Sequence, residues 1–220
     1  MARIARVVAA AYPHLVTQRG NRRQPTFFSD ADYQAYLELM AESCRLHGVK
    51  VLAYCLMPNH VHLVAVPREA ESLAHAFGEA HRRYTRAINL REDWRGYLWE
   101  GRFASCPMDA RHALAAARHI ELNPVRVGLV RKAWNWPWSS AAAHVSREDD
   151  ALVQVAPLLA EVRSWRVFLR GKEDEAQVAA MRMHTRTGRP LGDVRFVRRL
   201  ERRLDRPLAP RRPGPRPKDA

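Results

Sequence analysis

The sequence predicts an α+β fold: a mainly antiparallel sheet with packed helices, followed by a basic helical C-terminal extension. Three observations predict it. Residues 49–57 form an apolar run of strand length, rich in Val and Leu and carrying Tyr54. Pro58-Asn59 then supplies a two-residue connection. Pro presets φ at the first central position and Asn tolerates the left-handed region at the second, and so short a connection joins antiparallel strands. Around this hairpin lie stretches with apolar residues at helical spacing, several opened by Ser or Asp at the N-cap.

Taken in order, residues 14–19 form the first strand, with Leu15 and Thr17 on one face and His14 and Val16 on the other. The basic turn Arg19-Gly20-Asn21-Arg22-Arg23 offers Arg19, Arg22 and Arg23 for phosphate contacts, although a basic loop is often merely solvated. A helix starts at Ser29 or Asp30, and Tyr33, Tyr36, Leu37, Met40, Ala41 and Cys44 form its apolar face, expected to be core. After the hairpin, Ser72 caps a helix running to residue 89. Arg82, Arg83 and Arg86 gather near its second half. Such a surface suits a phosphate backbone, or it simply complements the negative end of the helix dipole.

Residues 93–103 carry Trp94, Gly96, Tyr97, Trp99 and Gly101 and form a structured loop or short strand. Aromatics interleaved with arginine suit stacked single-stranded bases, and packed loop anchors are the competing reading. Asp109 starts the next helix and Pro124 ends it. His119 and Asn123, at i and i+4, share a face there. Beyond Ser140, residues 156–169 read as one helix and 175–184 as a second. A turn-rich joint covers 187–192, and Phe196, Val197, Leu200 and Leu204 mark a short basic helix. The expected division is a core domain over 1–143, a helical extension over 144–206, and a Pro/Arg-rich tail over 207–220 that is disordered until bound.

Composition narrows the function. The chain has 220 residues and is 47% hydrophobic, enough for one large domain or one domain with an appendage. Lys and Arg number 37 against 23 Asp and Glu, a net charge of +14. That excess implies a polyanionic partner, nucleic acid before anionic membrane, with solvated arginines as the alternative. Cys44, Cys55 and Cys106 are widely spaced with no Cys-x-x-Cys, which suggests neither a disulfide framework nor a zinc knuckle and suits a reducing compartment. The Val/Ala run after Arg6 is too short for a membrane span and lacks a convincing cleavage site, so a cytoplasmic location with no membrane partner is expected.

His60 and His62 stand at i and i+2 on the strand after the turn, so both face one way, roughly 6–7 Å apart at Cα from a rise of about 3.3 Å per residue. That spacing lets two ring nitrogens converge on one ion, given a third ligand from elsewhere. A histidine on a strand is otherwise more often a satisfied polar group than a ligand.

Met57-Pro58-Asn59-His60-Val61-His62 resembles the signature of the HUH single-strand transposases, and more narrowly that of the REP-associated tyrosine transposases, which are insertion-sequence-200-like. Four further stretches match in order. Residues 12–21 resemble the family's opening strand, and Leu98-Trp99-Glu100-Gly101-Arg102-Phe103 its Trp-x-Gly-Arg segment. Ile120-Glu121-Leu122-Asn123-Pro124-Val125-Arg126 resembles its helix-ending Asn-Pro-Val-Arg, and Trp136-Pro137-Trp138-Ser139-Ser140 its Trp-Ser-Ser close. The resemblance covers residues 12–143, and the stretch from Thr187 onward looks like the branch's usual ending.

The resemblance implies a ferredoxin-like core and a DNA-binding protein that cleaves and rejoins single-stranded hairpin DNA, acting as a monomer or homodimer in DNA transposition. It implies His60, His62 and Asn123 as metal ligands and makes Arg102 and Arg126 candidates for DNA contact. Two imidazoles with amide and phosphate oxygens and no thiolate suit Mg²⁺ or Mn²⁺. In the family a tyrosine one turn before the Asn attacks the DNA phosphate. Here that position is His119. The six tyrosines all precede residue 98, so none lies on the helix that begins at Asp109; only loop residue Tyr97 stays open as a substitute. A histidine can attack to give a phosphohistidine or serve as general base for water. The alternative is a catalytically degenerate protein that binds hairpin DNA without cutting it. A metallohydrolase for small phosphoesters is the weakest reading, given the basic charge.

Overall fold

The computed structural model describes residues 5–209. Its sheet is built from β1 (His14–Arg19), β2 (Val49–Met57), β3 (His60–Pro67) and β4 (Ala104–Pro107) in the order β2-β3-β1-β4. Every neighbouring pair is antiparallel. Helix α1 (Asp30–Leu46) links β1 to β2, and α2 (Ser72–Arg91) links β3 to β4. This is the β-α-β-β-α-β order of the ferredoxin-like core that the family resemblance implies; β4 follows the 93–103 stretch expected as loop or short strand rather than lying within it. Nearly every β2 side chain is buried, so helices cover both faces of the sheet.

Local chemistry explains the elements. Ser29 caps α1 in a capping box with Asp32, whose carboxylate accepts from the Ser29 N–H at 3.1 Å. Helix α2 begins at Ser72 itself, so this serine is the first helical residue rather than the cap; its hydroxyl accepts from the Glu69 N–H at 3.1 Å. Asp109 caps α3 (Ala110–Glu121) through the His112 N–H at 2.9 Å. Pro124 does stop α3, but the chain resumes one turn of helix, α4 (Asn123–Arg126), because a proline in a first turn costs no hydrogen bond.

The C-terminal half closes the sheet. Cys55 on the outer edge of β2 pairs briefly with Ser139, and the Trp136 indole donates to the Leu56 carbonyl at 2.9 Å. At the other edge, the Leu191 N–H donates to the Pro107 carbonyl at 2.8 Å. Both exposed ladders are thereby covered. The single helix expected over 156–169 is instead two short ones, α6 (Ala156–Leu159) and α7 (Trp165–Arg170), with α5 (Ala141–Ser146) before them. An intervening stretch with Ser164 in extended conformation breaks the apolar pattern. Helices α8 (Glu175–Thr187) and α9 (Val194–Leu204) complete the chain order. Trp165, Leu169, Met181 and Leu191 join the main core, so the extension shares the core of the sheet domain.

A fully buried carboxylate ties these parts together. Glu121 at the end of α3 accepts from Ser140 Oγ at 2.5 Å, His144 Nδ1 at 2.7 Å and Trp165 Nε1 at 2.7 Å. A second small cluster joins Val7 and Ala9 to Phe196, Leu200 and Leu208. The expected disordered tail thus starts with Leu208 buried, its N–H bonded to Glu201 at 2.7 Å; residues 210–220 lie outside the described residues. No described helix is long and apolar enough to cross a membrane.

Candidate active site and nucleic-acid surface

The hairpin places His60 and His62 on one face of β3, opposite Arg19 and Thr17 of β1. Their rings meet edge to face with centroids 4.9 Å apart. His60 Nδ1 donates to Asn59 Oδ1 at 2.6 Å, and His62 Nδ1 pairs with Thr17 Oγ1 at 3.0 Å. With both Nδ1 atoms engaged, Nε2 is the nitrogen each ring has left to face an ion, and hydrogen bonds at Nδ1 of this kind orient metal-binding imidazoles. Burial pushes His60 down to about 4, with the Arg19 charge adding. Burial also holds His62 well below its ordinary value, helped by the charges of His60, His119, Arg19 and Arg126. Both rings are therefore neutral at pH 7, the form that ligates.

The third expected ligand is turned away from that role. Asn123 Oδ1 accepts from the Arg126 guanidinium, and Asn123 Nδ2 is buried without a partner. A cation needs the carbonyl oxygen, so the two imidazoles fit a divalent metal and Asn123 does not in this side-chain orientation. Among the described residues there is no cluster of three or more His, Cys, Asp or Glu able to hold a metal ion.

His119 belongs to a different network. Its Nδ1 lies 2.8 Å from Glu173 Oε1, and Arg126 Nη2 donates to Glu173 Oε2 at 2.6 Å and to the His119 carbonyl at 3.1 Å. Burial works to raise the Glu173 carboxyl, yet hydrogen bonds from His119 and Arg126 overcome it and hold the group down at about 2. Arg126 Nη2 also lies 3.1 Å from His119 Nδ1. A carboxylate at Nδ1 favours the tautomer that carries its proton on that nitrogen. Glu173, in the short link between α7 and α8, was not among the expected site residues. It sits in a polar stretch, Gly171 to Glu175, with no local signal to separate it from its acidic neighbours.

The arginines fall into four settings. Arg19 lies beside the histidine pair, and Arg22 and Arg23 sit exposed in a tight turn with positive φ. Arg82 and Arg86 line a groove with the loop that carries Trp94 and Tyr97, and Arg102 is exposed at the end of that loop. Arg83 points elsewhere and is ion-paired to Glu42 at 2.8 Å and Glu79 at 3.9 Å. Arg126 is held within the His119–Glu173 network. Tyr84 is core, its hydroxyl donating to the Thr26 carbonyl at 2.6 Å.

Comparison with known proteins places this architecture. The family model described as Transposase IS200 like matches residues 7–123. A REP-associated tyrosine transposase of Escherichia coli K12 is 25% identical over 116 residues, 52% of this chain and 68% of that protein. The solved structure of a REP-associated tyrosine transposase bound to a REP hairpin superposes with a TM-score of 0.58 at 21% identity, covering 67% of this chain and 87% of the other. With the family model spanning more than half of its length, the chain belongs to the IS200-like transposase family, with a histidine, His119, at the position where the sequence resemblance sets the tyrosine.

Proposed function

We propose that this protein binds hairpin DNA of the REP type in the cytoplasm, as a monomer or homodimer, and cleaves the adjoining single strand. His119 takes the place of the nucleophilic tyrosine, and His60 and His62 hold Mg²⁺ or Mn²⁺. The observation that carries this reading is the 2.8 Å contact between His119 Nδ1 and the Glu173 carboxylate. A carboxylate at Nδ1 makes Nε2 a better electron-pair donor and stabilises the cation that forms when Nε2 gains a bond.

Two steps use that lone pair. In one, His119 Nε2 attacks phosphorus, a P–N bond forms, the P–O3′ bond breaks, and the leaving 3′ oxygen takes a proton from water. The 5′ phosphate stays on the protein, ready for rejoining. In the other, Nε2 takes the proton of a water whose oxygen bonds to phosphorus as the P–O3′ bond breaks; the leaving 3′ oxygen takes a proton from solvent and no adduct forms. When bound, a divalent cation at His60 and His62 would offset charge developing on the phosphate oxygens. Arg126 and Arg19 supply fixed positive charge beside the same face.

A second reading, binding without cutting, is favoured by one observation. The His119 side chain is only 11% exposed, and the Arg126–Glu173 ion pair covers it. The test is cleavage of a labelled REP-type hairpin with a single-stranded flank in Mg²⁺ or Mn²⁺. Cutting that is lost on chelation and in His62→Ala supports the first reading. Tight binding with no cutting under any of these metals supports the second.

A further inference from the structure

We propose that the groove between the second half of α2 and the loop over residues 92–101 is a seat for an unstacked base of single-stranded DNA. The inference rests on the single-strand reading above and assigns the strand a specific position. The groove has a volume near 710 Å³ and is lined by Arg82, Arg86, Trp94, Arg95, Tyr97 and Trp99. A second hollow, near 530 Å³, lies across the same loop against Asn21, Arg22 and Gln24. The loop is thus a ridge with a cavity on each side.

Two aromatic rings stand on that ridge. Tyr97 is 85% exposed and Trp94 43% exposed. Single exposed apolar residues are common on protein surfaces, but here two aromatics three residues apart border the same cavities. The ridge is built to hold them. Asn89 of α2 donates from Nδ2 to the Gly96 carbonyl at 3.0 Å and accepts the Trp94 N–H on its own carbonyl at 2.8 Å. The Asn21 N–H donates to the Leu98 carbonyl at 2.8 Å, and Trp94 packs edge to face on Phe28 at 5.6 Å. Gly96 turns the loop at φ 99°, a conformation L side chains rarely adopt. Holding the loop backbone in place lowers the entropic cost of binding.

Charge selects the ligand. Among the described residues, Arg82, Arg86 and Arg95 make no ion pair, unlike Arg83 on the same helix. Asp93 is the one acidic residue lining the groove. Aromatic faces flanked by unpaired guanidinium groups fit a base with its phosphates, since every base has a π-face and every link a negative charge. The ridge also adjoins the histidine pair. Glu100 donates its N–H to the Arg19 carbonyl at 2.8 Å, and Arg19 is the cross-strand partner of His60. A strand leaving the seat along Arg19 meets His60 next.

The experiment compares the full-length protein on a short oligo(dA) and on an abasic strand of equal length, by fluorescence anisotropy without metal. The wild type is expected to bind the base-bearing strand roughly tenfold tighter. Tyr97→Ala and Trp94→Ala should each erode that preference while abasic binding stays unchanged, and Tyr97→Phe should keep it. Arg86→Gln should weaken both strands alike. Equal wild-type affinity for the two strands overturns the seat, and so does a preference that survives both alanine variants. Failure to bind either strand overturns the seat; a hairpin run in the same assay tests the DNA reading separately, and failure to bind that as well overturns both. Cleavage is scored separately, so a protein that shows the preference but never cuts sinks the proposed chemistry and not the seat.

Discussion

His119 Nδ1 lies 2.8 Å from Glu173 Oε1, a contact between residues 54 apart in the chain that joins helix α3 to the start of the C-terminal helical pair. A helix face alone does not choose an imidazole tautomer; a carboxylate beside Nδ1 favours the one protonated there. The C-terminal extension therefore supplies an acceptor to the residue that replaces the tyrosine.

Glu173→Gln should lower cleavage by roughly 10²-fold, because the amide no longer stabilises a positive imidazole. Glu173→Asp should retain part of the activity. Hairpin affinity should be unchanged in both, as measured by anisotropy in parallel with a cleavage time course. Wild-type cleavage in Glu173→Gln would mean that the contact only packs the extension.

Acid should weaken the fold well before the carboxylates titrate. His14 is fully buried and held down at about 4 by burial, its Nδ1 donating to the Tyr12 carbonyl at 2.8 Å and its Nε2 accepting from the Ala9 N–H at 3.1 Å. Burial likewise takes His81 to about 3 beside the Tyr36 hydroxyl at 2.9 Å. Both start from 6.5 unfolded, so the unfolded chain binds protons first. Stability should be full above 6.5 and fall steadily as pH drops toward 4. Urea midpoints across that range should show the decline, and His14→Gln should flatten it. A midpoint that does not move between pH 7 and pH 5 would contradict this.

Glu121→Ala should cost about 3–5 kcal/mol, since it leaves the Ser140, His144 and Trp165 donors buried without their shared acceptor. Chemical denaturation reads this directly. A loss under about 1 kcal/mol would mean that water or another group replaces the carboxylate.

Most of the sheet was legible because its signals are local. Pro58-Asn59 makes the two-residue connection, although Asn59 does not take the positive φ its residue type allows, and alternation puts His60 and His62 on one face, where both histidines are found. Boundaries of α1 follow from Ser29 and Asp32. What stayed hidden depends on tertiary partners. Arg83 looks like its neighbours in sequence, yet Glu42 of α1 takes it out of the cationic surface. Asn123 matches a ligand position, and only the Arg126 side chain reveals where its oxygen points. Glu173 pairs with His119 from 54 residues away, a separation no periodicity encodes. The split of residues 156–169 into two helices, at the extended Ser164, leaves Trp165 opening α7 with its indole bonded to Glu121, a partner 44 residues away.

The most direct measurement is a denaturing gel of end-labelled hairpin DNA carrying a single-stranded flank, incubated in Mn²⁺ with the wild type, His119→Ala and His119→Tyr. The account predicts cutting by the wild type that disappears in His119→Ala, with any wild-type protein–DNA adduct being acid-labile, and an acid-stable adduct in His119→Tyr. Cutting at an undiminished rate by His119→Ala would contradict it, because the bond would then be broken without the imidazole that Glu173 orients.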